Sequence, residues 1–278
     1  MHLFVKKKSS EESQVGFTLT DLLVSVGVVA LLGATVATAL ASTRPNSLAY
    51  QCLNNLRQLG IAWTMYSDDY QGVLVYNHDG LNAGKDAADA SWAGGWLDFG
   101  TSSDNTNFVL LINHVRYPYS AFLGPYLKTA SVFKCPADKS TFASTAFPRV
   151  RSVSLNNLMG QNARSWTTPT SYTIYTKISQ LASPARLFLF LDEREDSIND
   201  PVFLSDPDTR FQMIDFPGSY HDGADNFVFA DGHGESHKWL DPRTTPPINP
   251  GQFIPLNISI PGDIDIDWLQ QHASELAH

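Results

Sequence analysis

The last quarter of the chain contains side chains that could bind a transition metal. His233, Glu235 and His237 recur at every second residue, a spacing that places them on one face of a β-strand. Imidazole nitrogens and a carboxylate oxygen are common zinc ligands, and His221 lies a short distance upstream. The polar outer face of an antiparallel sheet would have the same pattern, so the spacing leaves both interpretations open.

The turn before these histidines predicts how their strand is paired. Asp231 and Gly232 form a dipeptide that favours a two-residue hairpin turn between twisted strands. This turn predicts that Val228 lies opposite Glu235, so that Phe227 faces the other side of the sheet, toward the core.

A membrane-tethered, metal-dependent enzyme would use His221, Asp231, His233 and His237. The sequence has none of the motifs that usually accompany such chemistry: no Gly-x-Ser-x-Gly, no phosphate-binding Gly-x-x-x-x-Gly-Lys loop, no Cys-x-x-Cys and no His-Glu-x-x-His. We therefore expect a protein that is not an enzyme, with the metal-dependent enzyme as the alternative.

A second candidate for metal binding is a run of carboxylates that follows a strongly apolar segment. Carboxylate oxygens are the ligands that calcium prefers, but no glycine stands where an EF-hand loop needs one. A solvated acidic loop is the competing interpretation. The candidate calcium ligands are Asp192, Glu193, Asp196 and Asp200.

Cys52 and Cys135 are the only cysteines in the sequence. Outside the cytoplasm a disulfide between them is permitted, and closing so long a loop would stabilise the fold by about 4.5 kcal/mol on the chain-entropy model. Two separate buried thiols are the alternative.

Trp92 and Trp96 could form a stacked-aromatic site for a sugar or another ligand, which gives the alternative of a tethered binding module. Such residues more often pack in a core. An exposed, coplanar pair would distinguish the binding module from simple packing.

Composition limits the remaining classes of function. The chain has 278 residues and a net charge of −9, with no basic patch, so nucleic acid is not an expected partner. Without its first 41 residues, about 235 remain, enough for one substantial domain or two small ones.

The patterning predicts an α+β head in which a helix packs on an antiparallel β-sheet. Residues 151–159, 187–191, 226–230 and 233–239 are the predicted strands, with a further strand near 132–138. Asp267 is the predicted N-cap of a last helix that begins at Trp268. One amphipathic helix has an apolar stripe formed by Leu48, Cys52, Leu56, Leu59, Trp63 and Tyr66.

The N-terminus predicts a membrane segment. Residues 22–41 contain no charged side chain and as a helix would be about 30 Å long, the thickness of a bilayer core. Lys6, Lys7 and Lys8 precede them and would stay in the cytoplasm. A signal peptide cleaved before Ser42 and an ordinary single-pass anchor are the alternatives.

The junction before the apolar run resembles the class III signal of type IV pilins and pseudopilins. The matching residues are Gly16, Phe17, Thr18, Leu19 and Asp21. The resemblance implies that a prepilin peptidase cuts between Gly16 and Phe17 and methylates Phe17. The family usually has Glu where this chain has Asp21, which would pair with the free amine of a neighbouring subunit. Aspartate keeps the charge but is one methylene shorter.

A second resemblance extends over most of the chain. His221, nine further residues, and then Asp231-Gly232 resemble the H-X9-DG segment of a large bacterial family that combines it with a prepilin N-terminus. Residues 52–60, 133–138 and 191–193 also resemble that family.

Together these resemblances imply a pilin-like structural subunit of a type IV pilus or a type II secretion-like pseudopilus. They imply a leader at 1–16, a transmembrane helix at 17–41, an amphipathic continuation at 42–70 and a head at 71–278 that contains the segment 221–232. The implied partners are the prepilin peptidase, other pilin or pseudopilin subunits and the inner membrane. The head would lie outside the cytoplasm.

Overall fold

The computed structural model describes residues 19–42, 47–142, 147–160 and 170–277. The chain divides into two units, Met1–Arg44 and Pro45–His278. The proposed cleavage site at Gly16 and Phe17 lies outside the described residues.

The N-terminal unit contains α1 (Leu19–Ser42). Side chains of α1 are described at 19–20 and 22–31, and all of them are exposed. Asp21 lies in the first turn of α1, at a position where the side chain is not described. Among the residues that the structure describes, no helix is both long and apolar enough to span a membrane.

The second unit begins with α2 (Leu48–Asp69), the predicted amphipathic helix. Ser47 caps its N-terminus, and its hydroxyl accepts a hydrogen bond from the amide of Tyr50 at 3.2 Å. The predicted stripe is buried at Cys52, Leu56, Leu59, Trp63 and Tyr66, whereas Leu48 is exposed.

Five strands form the main sheet, in the spatial order β3-β1-β2-β5-β6. Their bounds are β1 (Val153–Asn156), β2 (Phe188–Asp192), β3 (Val202–Phe203), β5 (Ala224–Phe229) and β6 (Gly234–Lys238). All neighbours are antiparallel except β1 and β3, which are parallel. The predicted α+β class is therefore confirmed, but the sheet is mixed rather than antiparallel. β3 follows β2 in the sequence but lies on the far side of β1. Because the chain reverses direction between β2 and β3, β3 is parallel to β1, which is itself antiparallel to β2.

The sheet lies between two helices. On one face, Val153, Leu155, Phe190 and Val228 belong to the same apolar cluster as the stripe of α2. On the other face, Phe188, Leu191, Phe227 and Phe229 pack with Leu269 and Ala273 of α4 (Ile264–Ala273). Consecutive residues of β5 thus contribute to opposite faces, as the period of two requires.

Shorter elements complete the head. They are α3 (Val109–Ile112) and a two-stranded sheet of β4 (Gln212–Met213) and β7 (Ile258–Ser259). Two predictions are wrong here. Residues 130–133 form a 3₁₀ turn instead of a strand. α4 begins four residues early because the Asp263 carboxylate, rather than that of Asp267, accepts hydrogen bonds from the amides of Asp265 and Ile266.

Candidate functional site

Four potential metal ligands from four distant segments meet between α2 and the sheet. Cys52 lies on α2, Cys135 follows the 3₁₀ turn at 130–133, Asp192 ends β2, and His221 lies in the loop before β5. One ligand atom from each side chain can be chosen so that all four atoms lie within 4.8 Å of one another. The two cysteines and Asp192 are buried and His221 is partly buried. We refer to these residues as the four-residue cluster.

Ser152 positions two members of the cluster. Its hydroxyl accepts a hydrogen bond from the amide of Cys135 and donates one to Asp192 Oδ1, both at 2.8 Å. The thiol of Cys52 donates to the other carboxylate oxygen, Asp192 Oδ2. The serine therefore fixes a backbone segment and a carboxylate in one arrangement.

His221 is positioned by a tight turn. Asp222 and Gly223 have φ of 59° and 73°, values that suit Asp-Gly in a two-residue turn. The amide of Ala224 donates to the carbonyl of His221 at 3.2 Å, and the amide of His221 donates back to Ala224 at 3.3 Å. This turn holds the imidazole with Nε2 3.4 Å from the sulfur of Cys135.

Burial dominates the electrostatics of the cluster. It raises the pKa of Asp192 to about 6, and it raises the pKa of Cys52 well above its ordinary value. Burial also raises the pKa of the neighbouring Asp225, an effect that the charge of Asp192 reinforces. Asp225 Oδ2 is buried and has no hydrogen-bond donor among the described residues. None of the ion pairs in the described part of the chain involves Asp192 or Asp225.

The predicted disulfide is not formed in this structure. Cys52 and Cys135 are both buried free thiols, brought together but not bonded. Each sulfur also has a second polar neighbour: Cys52 donates to the carboxylate of Asp192, and the sulfur of Cys135 lies 3.4 Å from Nε2 of His221.

A cavity of about 630 Å³ lies beside the cluster. Cys135, Pro136 and Lys134 line one part of it, and Asn54 and Asn55 of α2 line another. Cys135 is thus the member of the four-residue cluster that borders the cavity.

The four predicted calcium ligands do not form one site, although Glu193 and Asp200 lie close enough to influence each other's charge. Glu193 accepts hydrogen bonds from the hydroxyls of Ser154 and Ser197 at 2.7 and 2.6 Å. Asp196 pairs with the guanidinium of Arg194, with 2.8 Å between Nη2 and Oδ2. Asp200 accepts from the amides of Gly80 and Val202 at 2.8 and 2.9 Å. Of the four carboxylates, Asp192 alone belongs to the four-residue cluster, because each of the others is held by its own local donors.

The histidines of the hairpin do not join His221. The loop of this hairpin has three residues rather than two. The amide of Phe229 donates to the carbonyl of His233, and the amide of Gly232 donates to the carbonyl of Phe229, both at 2.9 Å. Gly232 has φ of 88°. The extra residue places Val228 opposite Gly234 and Phe227 opposite Glu235. The predicted register is therefore wrong by one residue, and His233 and His237 share a face with Phe227.

On that face the histidines make local contacts. His233 stacks on Phe229, with ring centres 4.4 Å apart, and its Nδ1 lies 2.6 Å from Asp231 Oδ1. His237 stacks on Trp268 at 3.8 Å. The set predicted for a metal-dependent enzyme is thus divided between two places.

The two tryptophans considered for ligand binding are not a coplanar exposed pair. Trp92 is fully buried, stacks on Phe133 with ring centres 5.6 Å apart, and donates from Nε1 to the carbonyl of Pro201 at 2.9 Å. Trp96 is partly exposed. Trp92 is a core residue.

Comparison with known proteins identifies the family. Residues 42–181, half of the chain, match the family described as "Protein of unknown function (DUF1559)", and the chain belongs to this family. No curated protein and no solved structure matches the chain significantly. The matched range contains Cys52 and Cys135, whereas Asp192 and His221 lie beyond it.

Proposed function

We propose that the protein is a pilin-like structural subunit. The observation that carries this proposal is the sequence junction from Gly16 to Asp21, which comes directly before the uncharged residues 22–41. Every described apolar side chain of α1 is exposed, which supports a helix that packs against other molecules or lipid. The packing of α2 on the sheet through one buried stripe supports a pilin-like head.

The proposed processing follows from the class III signal. A prepilin peptidase cuts between Gly16 and Phe17 on the cytoplasmic side and methylates the new terminal amine. Residues 17–41 stay in the membrane until assembly, and the head lies outside the cytoplasm. A carboxylate at the depth of Asp21 is costly in lipid and is therefore expected to be functional. In this proposal it pairs with the terminal amine of a neighbouring subunit in a pilus or a type II secretion-like pseudopilus.

The decisive measurement is the intact mass of the protein from the membranes of its native host. We expect the mass of residues 17–278 plus one methyl group. The variant Gly16→Leu should stay uncut. A wild-type chain that is uncut, or that begins at Ser42, would contradict the proposal.

Two variants separate processing from assembly. Asp21→Ala should be cut and methylated but should lose association with other subunits, because the carboxylate partner of the amine is gone. Asp21→Glu should keep both properties, since it restores the residue that the family usually has. Loss of cleavage in Asp21→Ala, or normal association in that variant, would remove the proposed role of Asp21.

A further inference from the structure

We propose that Cys52, Cys135, Asp192 and His221 form a structural zinc site. The proposal rests on the side chains of the head alone and is independent of filament assembly. Four groups that can each supply a zinc ligand, from four separate segments, have ligand atoms within 4.8 Å of one another. A tetrahedral zinc ion with bonds of about 2.0–2.3 Å has its ligand atoms roughly 3.3–3.8 Å apart, so small side-chain movements would complete the site.

The donor set selects the class of metal. Thiolate sulfur and imidazole nitrogen suit zinc and related transition metals, whereas calcium and magnesium prefer oxygen ligands. Two thiolates, one imidazole and one carboxylate also fill all four positions of a tetrahedral site. A catalytic zinc ion keeps one position for water or substrate, so a site closed by four protein ligands is structural.

The surrounding charge also favours a cation. Asp192 and Asp225 are buried and lie next to each other, and neither forms an ion pair with any residue that the structure describes. Asp225 Oδ2 also has no hydrogen-bond donor among the described residues. Buried carboxylates are stable when they are paired or coordinate a metal. A divalent cation within the cluster would compensate Asp192 directly and Asp225 through space.

Ser152 prepares the site for this role. Its hydroxyl donates to Asp192 Oδ1, which leaves Oδ2 directed toward the thiol of Cys52. A hydrogen bond to one oxygen of a ligating carboxylate fixes the orientation of the other. Of the four residues, Cys135 also borders the cavity of about 630 Å³.

Metal binding would join α2 to the sheet. One zinc ion would replace the protons of the two thiols, forming two Zn–S bonds and releasing two protons to solvent, while the imidazole nitrogen and the carboxylate oxygen complete the site. Because the ligands come from α2, the segment after residue 133, β2 and the loop before β5, the ion would connect elements that are far apart in the sequence. Binding is therefore expected to be coupled to folding of the head.

The test uses the full chain in detergent, reduced and freed of metal, with zinc chloride and cobalt chloride as the probes. We expect one zinc ion per chain by mass spectrometry of the bound metal, and a rise in the unfolding temperature on adding zinc. Cobalt should give thiolate charge-transfer bands and the intense visible bands of tetrahedral coordination.

His221→Gln is the main variant, because the partly exposed His221 can be changed with little risk to folding. This variant should weaken zinc binding by about 100-fold or more. Loss of a residue that only hydrogen-bonds to a metal ligand weakens metal binding by roughly 10–100-fold. His233→Gln is the matched control, since it changes a histidine outside the cluster, and it should bind zinc as the wild type does. With cobalt, Cys135→Ser should have weaker thiolate charge-transfer bands than the wild type, because one of the two thiolate ligands is missing.

Three results would overturn the proposal. The first is a folded, reduced chain that binds no zinc. The second is equal zinc affinity in His221→Gln and His233→Gln. The third is protein from the native host in which Cys52 and Cys135 form a disulfide, which would assign the two sulfurs to each other.

Discussion

Buried arginines organise the acidic segment after β2. Arg149 donates to the carbonyls of Glu195 and Ile198 at 2.6 and 2.7 Å. Arg151 donates to the carbonyl of Asp200 at 2.7 Å. Both guanidinium groups thus serve as donors to the backbone. The arginines precede this segment by more than forty residues, so no local pattern linked them to it. The sequence therefore suggested either a solvated acidic loop or a calcium site.

Asp200 makes stability depend on pH. Burial raises its pKa from 3.8 to about 6, with an added contribution from Asp79 and an opposing one from Arg151. The neighbouring Asp215 and Glu193 are also buried carboxylates. The native state therefore binds a proton at Asp200 in a range where the unfolded chain has lost it. The contribution of Asp200 to the free energy of unfolding is complete below about pH 4 and falls as the pH rises through 6.

We expect Asp200→Asn to show this dependence as a difference from the wild type. At pH 4 the variant should be less stable, because the amide group loses one of the two backbone hydrogen bonds, at a cost of about 1–3 kcal/mol. Between pH 4 and pH 7 the stability of the wild type relative to the variant should fall by about 2–3 kcal/mol, since one pKa unit corresponds to about 1.4 kcal/mol. The variant should therefore be as stable as the wild type, or more stable, at pH 7. Urea unfolding at several pH values in calcium-free buffer measures this difference. A difference that stays constant with pH would contradict the proposed role of Asp200.

At the level of elements, the sequence predicted those whose apolar period is long. The stripe of α2 repeats over five turns, and all its members from Cys52 to Tyr66 are buried. The strand at 153–156 lies within its predicted range, and the strand at 188–192 is shifted by one residue from the predicted 187–191. Such segments can be predicted from the sequence because an element that packs on a core needs an apolar face, whatever its partner is.

The hairpin shows why local signals can give the wrong register. Asp231-Gly232 and Asp222-Gly223 are identical dipeptides, yet Asp222-Gly223 forms the two-residue turn and Asp231-Gly232 ends a three-residue loop. Both loop lengths are common for this dipeptide. One added residue moves His233 and His237 to the face of Phe227, so a small difference in the turn changed the predicted site.

The contact of α2 with the sheet should contribute most of the stability of this layer. Trp63 has no exposed surface and packs in the cluster that contains Phe190 and Val228. Trp63→Ala should reduce the free energy of unfolding by about 3–5 kcal/mol through lost burial and the cavity that remains. Ile61→Ala, on the exposed side of the same helix, is the control and should change it by less than about 0.5 kcal/mol. Chemical denaturation followed by near-ultraviolet circular dichroism compares them, and equal losses would show that α2 is not held through this stripe.

At the level of the whole molecule, the sequence indicated each member of the four-residue cluster for a different reason. Cys52 and Cys135 suggested a disulfide, Asp192 a calcium site, and His221 a motif or an enzyme. Their convergence depends on how α2, β2 and the loop before β5 pack, which no local spacing encodes. The segments quoted for the family resemblance do contain all four residues. The sequence alone could not predict that these four residues lie close together in the folded head.

The exposed side of α2 provides a test of assembly. Ile61 and Met65 lie opposite the buried stripe and are 60% and 46% exposed. If the subunits associate through helices, as we propose, this exposed apolar side of α2 is a candidate for part of the contact. Ile61→Glu should then reduce association between subunits, because a desolvated carboxylate would lie in the contact.

Association is measured by co-purification of two differently tagged copies from the same membranes. Val115→Glu is the matched control, since Val115 is 95% exposed and lies outside α2. Both variants should unfold at the wild-type urea concentration, because neither side chain contributes to the core. A selective loss of co-purification in Ile61→Glu would place the assembly contact on α2. Equal co-purification of both variants with the wild type would exclude that side of α2 from the contact and confine the association surface to other parts of the chain.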